Sequence, residues 1–385
     1  MPEAYIVAAV RTPGGRRGGK LASWHPADLG GLALSQVVHR AGIDPAAVDD
    51  VVFGCVSQIG EQSFHIGRNA VLASSLPISV PAVSIDRQCG SSQQAIHFAA
   101  QAVLSGTQDV VIAAGVESMT RVPMGTPTRL AEEAGLGGPW PSTIRDRFRV
   151  DGFSQFTGAQ MIADKYGLSR ETMDRFALSS HQKAAAAIAA NAFADELLPV
   201  PIPSGVHTQD EGVRPDASYE AIAGLKTLVP GGTLTAGNAS QMCDGAAAVL
   251  VVGERALKDH RLTPLARIHT LTVVAGDPVT MLEEPIPGTA KALARAGLSM
   301  ADIDLFEVNE AFASVVLAWQ QATGADPARV NVNGGAIALG HPLGATGAKL
   351  MTTLVHALRA RRGRYGLQAM CEGGGIANVT IVEAL

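Results

Sequence analysis

Two cysteines and a histidine carry the chemistry open to this sequence. Cys89 lies in "DRQCGSSQQAIHFAAQAVLSG", residues 86–106, where a polar turn runs into a helix of almost entirely apolar side chains. A helix start has unpaired N–H groups and the positive end of the helix dipole. The pattern therefore predicts a thiol at the first turn with a lowered pKa, which is how a cysteine becomes a nucleophile. Gly90 lets a substrate carbonyl approach, and the Cys89 N–H is free to bind an oxyanion. Free cysteine is also a common packing residue, so Cys89 taken alone leaves both readings open.

A nucleophile needs a base. His341 sits between Gly340 and Pro342 in "NGGAIALGHPLGATG", residues 333–347. Pro342 biases it towards extended backbone, and the glycines let other groups crowd its ring. Cys371, in "AMCEGGGIANV", ends a strand and opens the run Gly373–Gly375, whose N–H groups can point at an anion. Beside a histidine, such a cysteine is a candidate proton carrier; elsewhere it is a structural residue. Asn309 closes the strand of "EVNEAFAS", as a functional amide or as a helix N-cap.

These residues need a scaffold, and the chain repeats itself to build one. "AGIDPAAVDDVVFG" from Ala41 recurs as "AGLSMADIDLFEVN" from Ala296, an offset of 255. The same offset carries Cys89 onto Gly344 and Ala114 onto Ala369, each time within similar strand, turn and helix patterns. Two related α/β halves follow, residues 1–118 completed by about 245–265, and residues 266–385. Continuous apolar strands at 109–114, 246–252 and 376–383 point to a sheet covered on both faces. A pseudo-twofold axis then lets the Cys89 and His341 turns face each other. Residues 119–244 differ in texture, with Pro/Gly-rich loops and a helical run after Ser169, and are read as an inserted loop domain.

Composition excludes several classes. Of 385 residues 47% are hydrophobic and 17% charged, with 42 glycines and a net charge of −5, the profile of a globular enzyme. The basic runs extend no further than the pairs at 16–17 and 361–362, which disfavours nucleic acid. No apolar run has the length of a membrane span, and the first residues read as a strand rather than a targeting peptide. Four cysteines without CxxC spacing argue against zinc and disulfides, and a cytoplasmic location is expected.

Taken together, "QCGSSQQA", "GNASQMCDGAAAV", "NEAF", "GHPLGATGA" and "CEGGG" resemble the thiolases, the family of acetyl-CoA acyltransferases, from end to end. The resemblance implies a five-layered αβαβα core of two duplicated halves, a homodimer or homotetramer, and coenzyme A as a substrate with no metal or other cofactor. It also implies roles. Cys89 accepts the acyl group, His341 activates it, and Cys371 exchanges the proton of the acetyl-CoA enolate. Asn309, through a water, and His341 form one oxyanion hole; the N–H groups of Cys89 and Gly373 form the other. Ser240 lines the pantetheine channel, Phe312 and Phe156 bind substrate or CoA, and Arg214 approaches the CoA phosphates. Members specific for acetoacetyl-CoA carry a His-Met-Gly element where this chain has Phe156 and Thr157 before Gly158, and Ala221 stands where serine is common. The expectation is a degradative 3-ketoacyl-CoA thiolase acting on a fatty or sterol-derived acyl group. The alternatives are a biosynthetic acetoacetyl-CoA thiolase and a non-catalytic acyl-CoA-binding relative. The segment 120–145 is expected to form a tetramer contact or a lid.

Overall fold

The computed structural model describes residues 2–228 and 230–385. Nine strands form its main path: β1 (Ala4–Arg11), β2 (Asp50–Gly54), β3 (Ala82–Ile85), β4 (Val110–Ser118), β5 (Cys243–Gly253), β6 (Ala266–Ala275), β7 (Leu305–Val308), β8 (Tyr365–Glu372) and β9 (Ile376–Ala384). They run in the order β7-β8-β9-β6-β1-β5-β4-β2-β3, and Gly15–Arg16 pairs with β5 off this path. β2 lies parallel to β4, and β4 antiparallel to β5. The second half repeats this, with β7 parallel to β8 and β8 antiparallel to β9. The halves meet where β1 and β6 pair through Tyr5↔Arg267 and Ile6↔Ala266.

The helices used below are α1 (Pro26–Ala41), α2 (Ile66–Leu72), α3 (Ser91–Ser105), α4 (Gln155–Lys165), α5 (Arg170–Ala189), α6 (Pro285–Ala296), α7 (Ala313–Thr323) and α8 (Thr346–Ala360). The 255-residue offset superposes the bounds of α3 on those of α8, and of the short turn Pro45–Ala47 on Met300–Asp302. It fails at β3, whose counterpart in the second half is the single helical turn Ala336–Leu339.

Burial orders the layers. Leu34 and Val37 of α1 and Ile66 of α2 pack on one face of the first half-sheet with Phe53. Ile96 of α3 with Met351 and Leu354 of α8 fill the space between the half-sheets. Leu293 of α6 and Trp319 of α7 cover the far face of the second with Phe306. The result is α/β/α/β/α, the five layers expected. The continuous apolar strands follow from this, because β4 and β5 are buried along their whole length.

The segment between β4 and β5 packs α4 and α5 against α7, through Ala159, Ile162, Met173 and Ala177 on Ala311, Phe312 and Val315. Ser169 caps α5 by accepting the Thr172 N–H at 3.1 Å. A buried ion triad ties this segment to β1: Arg11 donates to Glu196 at 2.6 Å and to Asp210 at 2.8 Å. Removing one member of such a network strands the others, which typically costs about 3–5 kcal/mol. Asp210→Ala is therefore expected to lower unfolding stability by about that amount in urea titrations, and a loss below about 1 kcal/mol would contradict it.

Where the two halves cross near the sheet ends, backbone meets backbone. A Cβ on Gly115 would fall 2.3 Å from the Gly344 carbonyl oxygen, and one on Gly54 2.8 Å from the same atom. Glu117 locks the crossing by accepting the N–H groups of Val56, Ser57 and Gly344 at 2.9–3.0 Å.

Candidate active site

Cys89 follows β3 on a tight turn. Gln88 takes a left-handed φ of 49°, an uncommon conformation that costs of order 1–3 kcal/mol in a residue other than glycine. The Gly90 and Ser91 N–H groups close the turn onto the Arg87 and Gln88 carbonyls, both at 3.0 Å. Helix α3 begins at Ser91 with Gly90 as N-cap, so Cys89 lies just before the first turn and not within it.

The expected acidity of Cys89 is corrected by its surroundings. It is buried, and burial pushes the thiol well above its ordinary range, with nearby Cys371 and Glu372 pushing the same way. Its own N–H favours the thiolate but is outweighed. The resting thiol is protonated and needs a base. That N–H and the N–H of Gly373 are not taken up by backbone carbonyls among the described turns and loops.

His341 is held from three sides. Its backbone N–H donates to the Gln241 carbonyl at 3.0 Å. Its Nδ1 lies 2.6 Å from Thr346 Oγ1, whose own hydrogen goes to the Pro342 carbonyl at 2.8 Å. Thr346 therefore accepts, Nδ1 carries the ring proton, and Nε2 is left with its lone pair. Asn309 Nδ2 reaches that Nε2 at 3.4 Å. Burial, with the Lys349 ammonium adding to it, pushes the imidazole down to about 3, so the ring is neutral.

Asn309 follows β7 with its N–H on the Ala369 carbonyl at 3.0 Å. It is not a helix cap, because α7 starts four residues later with Phe312 in that place. Its Oδ1 is buried without a partner among the described residues. The amide also touches Cys371 and favours its thiolate, although burial pushes Cys371 up to about 12. Cys371 is the penultimate residue of β8, and Gly373–Gly375 turn the chain back into β9, with Gly374 and Gly375 at φ 84° and 74°.

Two adjoining cavities converge here. One, of about 570 Å³, is lined by His341, Ser240, Phe156 and Phe312, with Arg16, Arg17 and Arg214 among its polar residues. The other, of about 630 Å³, holds Cys89 and Gly373 and is walled by Met124, Trp140, Phe153, Phe156 and Met281. Phe156 and Leu343 line both. Phe156 stands edge-on to Phe312 with ring centres 5.7 Å apart. Gly158 lets α4 lie against the Thr280 backbone, since a Cβ there would fall 2.6 Å from the Thr280 carbonyl oxygen. Met124, Gly125, Pro127, Pro139 and Trp140 lay one face of the 120–145 segment over the second cavity. Ala221 lines a third, smaller cavity, together with Arg214 and Gln241.

Seven of the nine candidate residues line one or other of these adjoining cavities, while Asn309 reaches His341 and touches Cys371 behind them. Three kinds of residue escape a reading of the sequence. Arg16 and Arg17 register only as a short basic pair. Thr346 orients His341 from within a helix start. Glu310 accepts the Ile337 N–H at 3.1 Å and the Ser180 hydroxyl at 2.7 Å, fixing the turn that leads to His341.

Comparison with known proteins places the chain. Residues 4–255 match the thiolase N-terminal domain and residues 262–384 the thiolase C-terminal domain. The chain belongs to the thiolase family, whose members are acyltransferases. It is 54% identical over 387 residues to a steroid 3-ketoacyl-CoA thiolase of Mycobacterium tuberculosis, covering 100% of this chain and 95% of that protein. Among solved structures it resembles the Bacillus anthracis acetyl-CoA acetyltransferase, with a TM-score of 0.92, 36% identity and coverage of 100% and 99% of the two chains. It also resembles human mitochondrial 3-ketoacyl-CoA thiolase in complex with CoA, with a TM-score of 0.89, 36% identity and coverage of 100% and 98%.

Proposed function

We propose that the protein cleaves a bulky, ring-derived 3-ketoacyl-CoA with free CoA, releasing acetyl-CoA and a shortened acyl-CoA. The observation that carries this reading is the cavity of about 630 Å³ on the Cys89 side, walled by aromatic and methionine side chains. Drug-sized ligands occupy cavities of roughly 300–1,000 Å³, so a fused-ring acyl group has room there, whereas an acetyl group would leave most of it unfilled. The steroid 3-ketoacyl-CoA thiolase at 54% identity supports the same class.

In the proposed mechanism His341 Nε2 takes the Cys89 proton, and the thiolate attacks the β-carbonyl carbon. The Cys89 and Gly373 N–H groups hold the tetrahedral oxyanion. The bond between Cα and the β-carbon breaks, leaving the enolate of acetyl-CoA. Its oxygen is held by the Nε2–H that His341 has just gained and by a water on Asn309 Oδ1, the buried atom without a partner. Cys371 delivers its proton to the enolate carbon. Incoming CoA returns a proton to Cys371 and attacks the Cys89 thioester, and Cys89 leaves and recovers its proton. Ser240 and Phe312 line the pantetheine path, while Arg16, Arg17 and Arg214 face the CoA phosphates. Coenzyme A is a substrate in this scheme, and no metal or redox group enters any step.

Loss of 3-ketoacyl-CoA absorbance with CoA tests the reading. The expected order of kcat/KM is a ring-bearing 3-ketoacyl-CoA first, 3-ketodecanoyl-CoA second and acetoacetyl-CoA last, with at least about tenfold between the extremes. Preference for acetoacetyl-CoA would overturn the assignment of the cavity while leaving the acyl-transfer chemistry in place.

A further inference from the structure

Glu372 directly follows Cys371 and is fully buried, yet no step above uses it. Its Oε1 accepts the Asn378 N–H at 3.1 Å, and its Oε2 has no hydrogen-bond partner among the described residues. The carboxyl fills the space beside Gly90: a Cβ there would fall 1.8 Å from Oε1. That contact explains why the residue after the nucleophile has no side chain. The titratable groups around Glu372 come from three elements. They are Cys371 on β8, Arg87 and Cys89 on the turn before α3, and His97 on α3, reached through Asn378 of β9 at 3.2 Å. His97 is held neutral by burial, and Arg87 acts only from a distance, without an ion pair. An ionised Glu372 would be a nearly uncompensated buried charge beside two thiols that must themselves ionise during the reaction.

We propose that Glu372 is held as a neutral acid and sets the reactivity of both cysteines: with its proton on, Cys89 and Cys371 can form thiolates, and with its proton lost to solvent both are suppressed. The proposal rests on the acyl-transfer reading of those two cysteines. Glu372 touches no substrate and is a positioning residue that acts through them. Burial pushes its carboxyl up to about 8, against the opposing pull of Arg87 and the Asn378 N–H. The change of state therefore falls just above neutral pH.

The test is alkylation of Cys89 by iodoacetamide in the substrate-free enzyme, followed by peptide mapping from about pH 6 to pH 10, in the wild type and in Glu372→Gln. A like charge at this range shifts a thiol by about one unit or more, which is about tenfold in thiolate. The two proteins are expected to react within about twofold of each other near pH 6.5, with the variant about tenfold faster above pH 9. Parallel profiles across the range, or a slower variant throughout, would overturn the proposal. The wild type alone gives a second check should the variant fail to fold. Its rate is expected to gain less than the full factor of ten per pH unit above about pH 8, and an unbroken tenfold gain would be the contrary result. No acyl substrate is involved, so an error in the substrate class leaves this outcome untouched. Full turnover in Cys89→Ala would instead remove the acyl-transfer reading itself.

Discussion

Cys89→Ala is expected to fold, bind acyl-CoA and turn over none of it, with thiolysis lower by on the order of 10⁴-fold or more. The substitution removes one sulfur from a small apolar cluster with Met119, Leu343, Leu350 and Met370, so stability should change by only about 1–2 kcal/mol. The loss is expected in kcat with KM nearly unchanged, because the CoA cavity is lined by other residues. Intact mass provides the companion readout. Wild-type enzyme given a 3-ketoacyl-CoA without CoA should gain the acyl mass on Cys89, and the variant should gain nothing. A variant that still cleaves substrate, or an adduct mapped to Cys55 or Cys243, would dismiss Cys89 as the nucleophile.

His341→Ala should come close behind. The side chain is assigned two jobs at one atom, since Nε2 takes the Cys89 proton and then, keeping it, hydrogen-bonds the enolate oxygen. General-base catalysis contributes about 10²–10⁴-fold and one oxyanion donor about 10²–10³-fold, and because both act through the same atom they are not additive. A fall in kcat of about 10³-fold or more follows. Asn309→Ala, which removes only the amide that orients water and ring, should cost about 10²-fold. The pH dependence gives a sharper check. His341 is held near 3, far below its ordinary value, so it does not titrate at working pH. The deficit of His341→Ala is therefore expected to be the same at pH 6.5 and at pH 8. A deficit that vanished at low pH would mean that His341 is protonated in the resting enzyme. The sign also reaches stability. An unfolded chain binds a proton at His341 and at His97 below about 6.5, while the folded protein refuses both until about 3, so stability is lost as pH falls through that window.

The sequence made the types and order of the candidate groups legible, because short segments carry them. Cys89 before a helix, His341 between Gly and Pro, and Cys371 before three glycines are each readable within a few residues. The 255-residue repeat likewise pointed to the layering, since the α3 and α8 copies keep the same bounds. Energetics was less legible. A helix start implies an acidic thiol, but whether that holds depends on how deeply the turn is buried, and the α8 side of the core covers it. Asn309 read equally well as a cap because only the fold shows that α7 begins at Ala313. Glu372 left no signal at all: its weight comes from Gly90 and Asn378, which lie far from it along the chain or across a hairpin.

The crossing at Gly54, Gly115 and Gly344 has a mechanical consequence. With backbone against backbone and Glu117 clamping both sides, the joint has no compliant side-chain layer in which the halves could slide or hinge. The crossing is rigid, and the gap between the Cys89 and His341 turns is set when the chain folds rather than when substrate arrives. Traffic must then be handled elsewhere. The part of the cavity wall built from surface chain is the stretch containing Met124, Pro127 and Trp140, so pinning that stretch with a cross-link is expected to slow turnover of a ring-bearing substrate more than that of acetoacetyl-CoA.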